Sequence, residues 1–583
     1  MTITVPKGKY YISSHLRICS NTYLKLSSSA QIIRKNDSDF IMISGESGTG
    51  YSGLKNVTIN GGIWDGNVSD TTKSHGLIKI NNAKNIKVAN ATFKNVCGTH
   101  FVLFTGVANL TVKKCTLKNF IHYTGTASSY KSQTDADLAY RGAEALHIDY
   151  VVKDSSTGES GTPCKNVTIS NCTFSKVTSG IGTHHVYSYM NASNITIKNN
   201  TFKNCYFYCV NTAGFTDFTM SNNTATNIAG LIYAEATEGT VKNNTITAKK
   251  TLSGKMYKYD TFSSSTPTLN VSRFSDSTVK FYNNTIKNSS ANCVYACEDS
   301  NITVQRCKLT NATNAGVGLN DATVKLIETT IGNSGSNGVT LKNGSSITAK
   351  KNYIYKSTEN AFYIADKSKA TITDNSHNDS GKNDLSLSDK STGIVFKNNG
   401  SNVRKTYIPS DCSATVTNLK KSLRSYKFTI DSSAVYTGKQ IKPTVTTKLT
   451  KGTDYTVSYG TNKNTGEGTV TIKGKGDYSG TVVLHFTIKP AKQKITKLTA
   501  GKEKIRVNWK KTSQASGYVI YYATNSSFSN KSKIVVTDKT ASNQLITGLT
   551  SSKTYYVKVE SYKVVNGKKV IGKCSAVKKI KAK

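Results

Sequence analysis

Tryptophan, methionine, proline and histidine are scarce in this 583-residue chain, at 2, 5, 6 and 9 residues. No apolar run is long enough to cross a bilayer as a helix, so membrane insertion is not expected. Acidic residues are also short: 34 Asp plus Glu stand against 77 Lys plus Arg, a formal net charge of +43. The basic residues are spread along the whole length, with no basic tail, stacking platform or recognition helix, so nucleic acid is not an expected partner. Diffuse positive charge suits residence beside an anionic cell-wall polymer, a uronate polysaccharide or a sulfated glycan, although lysine also solubilises any strand-rich surface. The 12 cysteines lack zinc-finger or thioredoxin spacing. Nothing pairs Cys19 with Cys574. Cys115, Cys172 and Cys307 recur at one place in three repeats, which reads as stacked small apolar side chains rather than disulfides.

What the chain has in abundance is one phrase. It reads NLTVKKCTLKNF from Asn109, NVTISNCTFSKV from Asn166, NITIKNNTFKNC from Asn194, DFTMSNNTATNI from Asp217 and NITVQRCKLTNA from Asn301. Each copy is an alternating strand, an Asn-containing turn and a second short strand. Aligned on the second apolar residue, the copies fall at Ile59, Val88, Val112, Ile169, Ile197, Met220, Val241, Val279, Val304, Val324, Ala349 and Ile372. A period of 20–29 residues, with longer gaps before Ile169 and Val279, predicts an all-β fold built on a parallel β-helix solenoid. One coil cannot bury its own apolar face, so coils stack ~4.8 Å apart around a shared interior. Asn tolerates the left-handed backbone of tight corners, and its amide can bond to the coils on either side. The many Asn-x-Ser/Thr triplets therefore read as corner chemistry rather than glycosylation sites.

The opening VPKGKYYISSHLRICSNTYLKL from Val5 and GGIWDGN from Gly61 resemble the pectate-lyase-like superfamily of right-handed β-helices. The resemblance covers about residues 1–405 and implies lyase, hydrolase or epimerase chemistry, but the fold also serves tail-spikes and adhesins. The chain begins directly on a strand, with neither a polar cap nor a secretion signal, so upstream residues that include an export signal are expected. Residues 406–425 read as a linker or cap. Residues 426–490 carry YTGKQIKPTVT from Tyr436, GTDYTVSYGTNKN from Gly452 and GEGTVTIKGKGDYSGTVVLHFTI from Gly466, with turn signals every eight to twelve residues. They resemble the bacterial immunoglobulin-like β-sandwich modules of secreted Gram-positive proteins. Residues 493–583 place Trp509 on an early strand, then GYVIYY from Gly517 and LTSSKTYYVKV from Leu549. That order resembles a fibronectin type III β-sandwich, with Trp509 and Tyr555/Tyr556 at its core positions. Both modules imply spacers on a secreted or cell-surface protein, and from the ending KIKAK covalent wall anchoring is not expected.

Histidine is rare but clustered. His75, His100, His122, His147, His184 and His185 lie within one short stretch. His75 precedes Val88 by 13 residues, His100 precedes Val112 by 12, and His184 and His185 precede Ile197 by 13 and 12. The intervening coil carries Glu144, His147 and Asp149. Four coils thus bring ionisable groups to one patch of ~14 Å. Insertions at 121–143 and 151–165 flank it, and long loops on a rigid scaffold commonly wall a cleft. The expected catalytic set is His100, Glu144, His147, Asp149, His184 and His185; His75, Tyr140, Arg141 and Asp65 are expected to position substrate. A polar ladder of stacked histidines is the structural alternative.

Two reactions suit such a patch. β-Elimination on a uronate polymer needs a base, His or Tyr, and a cation such as Arg141 to offset enolate charge. Hydrolysis needs two carboxylates, for which Glu144 and Asp149 are available, although their odd spacing puts them on opposite strand faces. The several aspartates of the polygalacturonase type and the acidic calcium cluster of the pectate-lyase type are both missing, so the resemblance does not choose between the reactions. His and carboxylate also suit a divalent metal, zinc or calcium, with no ligand set fixed. The expectation is a monomeric carbohydrate-active enzyme, a lyase or glycoside hydrolase acting on a polysaccharide or host glycan. A non-catalytic adhesin or glycan-binding protein is the alternative.

Overall fold

Alternation of apolar and polar residues lets each strand bury one face while its edges pair in parallel with the coils before and after. The structure is a computed structural model and describes residues 1–35, 40–121, 144–151, 161–183, 191–252, 268–565 and 567–583. It forms two compact units, 1–420 and 421–583.

The first unit is a right-handed parallel β-helix. A 28-stranded parallel sheet runs along it, and a second parallel sheet is built of short strands such as Thr92–Cys97, Thr116–Ile121, Thr173–Val177 and Thr201–Cys205. Long strands such as Ile78–Ala89 and Val102–Lys113 turn from one face to the next at Asn82 (φ 48°) and Gly106 (φ 61°). The interior is one continuous apolar core from Ile18 to Phe396.

Rungs join Ile59 to Val88, Val112, Ile169, Ile197, Met220 and Val241, as the repeat spacing predicts. Beyond Val241 the partner is Phe281, not Val279, and beyond Val304 it is Leu326, not Val324. Both offsets are two residues. A strand repeats every two residues, so either alignment keeps the apolar face inward, and only the hydrogen-bond register tells them apart. Rungs also extend past the repeats seen in sequence, through Phe396 to Val416. The stretch read as a linker or cap therefore holds the strand Ala414–Thr417, and the solenoid unit runs to 420 rather than 405.

Asparagine closes the coils in two ways. Asn56, Asn85, Asn109, Asn166 and Asn194 sit at φ of 54–59° on the surface. Each donates its amide to the Asn of the preceding coil at 2.8–2.9 Å. A second column, Asn200, Asn223, Asn244 and Asn284, is buried and linked amide to amide, and Asn352, Asn375 and Asn399 repeat it further along. All 12 cysteines are free thiols.

One interior position breaks the apolar pattern. His377 follows Leu309, Ile331 and Ile354 in an aliphatic column and is 0% exposed. Its ring lies 5.4 Å from Phe362 and 5.7 Å from Phe396. Among the described residues neither ring nitrogen has a hydrogen-bond partner; Nδ1 is 3.7 Å from Asp384 Oδ1. Burial pushes the imidazole down to about 3 and the Asp384 carboxyl up to about 6, although Ser401 Oγ donates to Asp384 at 2.7 Å. His377→Leu is expected to raise stability by about 1–3 kcal/mol by removing an unsatisfied buried group. The unfolded imidazole takes up its proton near pH ~6.5, well before the folded one, so His377 destabilises the native state progressively below that pH. Melting curves of the variant should therefore lose part of their acid-side decline, and a lower melting temperature at neutral pH would contradict the assignment.

The second unit holds two separate cores. Ser433–Val435, Thr481–Lys489, Gly466–Gly474 and Tyr455–Tyr459 form a four-stranded sheet packed through Phe428, Val470, Ile472 and Phe486. From Ile495 onward, a three-stranded and a five-stranded sheet share a core around Trp509, Tyr518 and Tyr555. The Trp509 ring lies 5.1 Å from Tyr518, tilted by 52°, and Tyr555 OH accepts from the Thr550 N–H at 2.9 Å; Tyr556 is only half-buried. Among the described residues no helix is long and apolar enough to cross a membrane, which leaves β-barrel crossing untouched.

Candidate functional site

The solenoid face that carries the Glu144–Asp149 strand alternates in the ordinary way. Leu146 and Ile148 point into the core, while His147 and Asp149 point out. Their neighbours in register are Leu103 and Thr105 on the preceding coil, and Gly182 and Asn211 follow His147. His147 is nonetheless only 2% exposed, with Glu144, Asp149 and the His100 ring against it.

Its two ring nitrogens face two carboxylates. Nδ1 lies 3.0 Å from Glu144 Oε2, and Nε2 lies 2.9 Å from Asp149 Oδ2. The odd spacing of the two acids does not keep them apart. Glu144 reaches the ring from the first position of the strand, and Asp149 shares the outward face with His147 two residues on. Each carboxylate is held by further donors: Asn211 Nδ2 gives to Glu144 Oε1 at 2.9 Å, while Thr183 Oγ1 and the Tyr150 N–H give to Asp149 Oδ1 at 3.1 and 2.9 Å. His100, from the preceding coil, stacks on His147 with centroids 3.9 Å apart and donates Nδ1–H to the Glu144 carbonyl at 2.9 Å.

Burial disfavours the imidazolium, but the hydrogen bonds and charges of Asp149 and Glu144 outweigh it and raise His147 to about 9. Carboxylates accept only, so both ring N–H groups donate and His147 is a cation at neutral pH. It cannot then serve as the base that β-elimination requires. Glu144 is 0% exposed and Asp149, at 13%, is the acid of the pair that reaches solvent.

Ligand atoms of His100, Glu144 and His147 all lie within 4.8 Å of one another, close enough to gather round one ion. In this structure both nitrogens of His147 and Nδ1 of His100 face oxygen acceptors, so an ion held there would have to displace those hydrogen bonds.

The other sequence-predicted residues are dispersed. His75, 1% exposed, accepts from Arg34 Nη1 at 3.2 Å and donates Nε2–H to the Asp70 carbonyl at 3.1 Å, which makes it a neutral ring. Asp65 lies on the short-strand sheet, paired with Lys94 at 2.8 Å and bonded by Asn95 at 2.8 Å. Burial works against its charge, but Lys94, Asn67 and Asn95 outweigh it and hold the carboxyl below its usual range. His184, His185, Tyr140 and Arg141 lie outside the described residues. Sequence reasoning missed Thr183 and Asn211. An Asn at a strand position away from any corner was the one available sign of the latter.

Residues 140–264 and 269–420 match the family described as right handed beta helix region. Plasmin and fibronectin-binding protein A of Streptococcus pneumoniae is 27% identical over 248 residues, covering 37% of this chain. The match spans 33% of that relative's length. The crystal structure of PfbA, a surface adhesin of Streptococcus pneumoniae, is similar at a TM-score of 0.39 and 19% identity, covering 68% of this chain and 84% of that one. A family 28 exopolygalacturonase of Yersinia enterocolitica is similar at a TM-score of 0.28 and 10% identity, covering 71% and 72%.

Proposed function

We propose that this chain is a secreted or surface-displayed carbohydrate-active protein that hydrolyses a glycosidic bond at the His147 centre. The observation that carries the reading is the Glu144–His147–Asp149 arrangement on an outward solenoid face. Burying a cation between two acids is costly unless every partner is satisfied, and a solenoid coil does not need it for packing. Asp149 is the group that meets substrate, and the His147 imidazolium that contacts it at 2.9 Å is the proton source for the departing sugar oxygen. Ionised beside the imidazolium, it can face the positive charge that develops on a sugar ring or activate a water. Glu144 and His100 position His147. Elimination on a uronate is the less favoured chemistry because His147 already carries its proton. The bacterial immunoglobulin-like and fibronectin type III readings of the second unit make it a spacer, and the +43 charge favours an acidic glycan over a neutral one.

A second reading, a non-catalytic adhesin, is favoured by the name of the Streptococcus pneumoniae relative, which binds plasmin and fibronectin. Turnover on a panel of acidic and neutral polysaccharides separates the two. Reducing ends and unsaturated-uronate absorbance are read together, with and without chelator. Reducing ends alone are expected, and Asp149→Asn should lower their rate roughly 10²–10⁴-fold. Rising absorbance would shift the reaction to a lyase, and silence on every substrate would leave the adhesin.

A further inference from the structure

The strip of outward positions that contains His147 continues well beyond it. In register, one residue per coil, it runs His147, Gly182, Asn211, Tyr233, Arg273, Tyr295, Gly318, Thr340, Tyr363, Ser386 and Tyr407. Arg273 lies over the Tyr233 ring at 5.3 Å and covers that part of the strip. From Tyr295 onward the strip opens into a groove of about 720 Å³.

Three features of this groove point to one kind of occupant. Its floor carries tyrosines separated by small residues: Tyr295, then Gly318 and Thr340, then Tyr363, then Ser386, then Tyr407. A Cβ on Gly318 would stand 3.1 Å from the Tyr295 ring and 3.2 Å from the Asn292 amide, so the glycine leaves room for that ring to lie across the floor. Tyr363 OH is fixed by Ser388 Oγ at 2.9 Å, and Tyr407 is 58% exposed. One wall is an amide column. Asn383 donates to Asn360 at 3.0 Å, Asn360 to Asn337 at 2.9 Å, and Asn292 belongs to the same wall. The opposite charges of Lys382 and Glu359 neutralise each other at 2.8 Å, whereas Lys342 makes no ion pair among the described residues, so the groove keeps a net positive charge.

We infer that the Tyr295–Tyr363–Tyr407 groove is a binding site for a linear anionic polysaccharide laid along the solenoid axis, several coils away from the His147 centre. Tyrosine rings offer flat, low-entropy platforms for the apolar faces of sugar rings, amides pair with hydroxyls, and Lys342 meets a carboxylate or sulfate. Tyr295 and Tyr363 are three coils apart and Tyr363 and Tyr407 two. Five coils span ~24 Å, room for roughly five sugar units. The inference rests on the glycan reading above but not on catalysis, since the groove can hold a strand whether or not Asp149 cleaves it.

The test is retention of the full chain in native gels cast with heparin, with polygalacturonate, or with neutral dextran. Heparin or polygalacturonate should retard it, and the two separate sulfate from carboxylate recognition. Tyr363→Ala and Tyr407→Ala should each weaken that retention roughly tenfold. Asp149→Asn should leave it unchanged while lowering turnover roughly 10²–10⁴-fold, so loss of the hydrolase reading and loss of the groove are read separately. Tyr407→Ala guards against misfolding, because its ring is largely exposed. Retention that survives both tyrosine substitutions overturns the inference, as does retention by dextran alone or by none of the three.

Discussion

His147→Leu is expected to destabilise the solenoid by about 3–5 kcal/mol at neutral pH, as removal of one partner from a buried charge cluster does. Leucine fits the column, since Leu103 occupies the same position one coil earlier. What it cannot do is neutralise Glu144 and Asp149, which would then face each other across an apolar side chain. The pH dependence is the stronger signature. His147 is raised in the folded state to about 9, above its unfolded value of ~6.5, so its stabilisation is fully present below pH ~6.5 and is lost as pH rises through the folded value. The melting temperature of the parent chain should therefore fall between about pH 7 and about pH 9.5. The variant should lack that decline and recover stability on acidification, as Glu144 takes a proton in place of its lost partner. Thermal unfolding followed by circular dichroism across a pH series reads both effects. Equal melting temperatures at pH ~7.5 would mean that the imidazolium contributes nothing to folding.

Asn244→Ala should be nearly as damaging, although no charge is involved. Asn244 Oδ1 accepts from both the backbone N–H and Nδ2 of Asn223 at 2.9 Å. Its own N–H and Nδ2 donate to Asn284 Oδ1 at 2.9 Å, and Nδ2 also reaches the Met220 carbonyl at 3.3 Å. Alanine leaves the Asn223 N–H without its acceptor and its Nδ2 with the Ile197 carbonyl alone, and each lost buried hydrogen bond costs about 1–3 kcal/mol. A total near 3 kcal/mol is the expected loss after partial rearrangement. Asn85→Ala, in the surface column, should cost only about 1 kcal/mol, for forcing alanine into a left-handed corner where water replaces the lost amide bond. Denaturant titration of the two variants side by side should show the difference; equal losses would mean that the buried column is no stronger than the exposed one.

The solenoid was legible because burial writes itself into sequence as alternation, and corner geometry writes itself as Asn. Register was legible only modulo two, which is why Phe281 and Leu326 replace Val279 and Val324 as rungs. The candidate cluster was legible where one strand carries it: Glu144, His147 and Asp149 share six residues. Thr183 and Asn211 come from later coils, and nothing local marks them as ligands of a carboxylate. His75 illustrates the opposite case. It falls near the histidine column by counting, yet its ring is taken up by Arg34 and the Asp70 carbonyl. The tyrosine groove was invisible for a simpler reason: Tyr295, Tyr363 and Tyr407 are neighbours on one strip only after insertions and rung lengths are known.

From Val304 to Phe396 successive rungs are 22, 23, 23 and 24 residues apart, and each presents to the next the same strand edges. A coil in this region is thus an interchangeable part. Adding or removing one changes the axial length by ~4.8 Å and leaves the columns on either side able to close. The separation between tyrosine platforms is consequently quantised. It can be retuned by whole coils and by nothing smaller, so a chain of this kind measures its ligand in units set by the backbone, with side-chain chemistry free to vary independently on each unit.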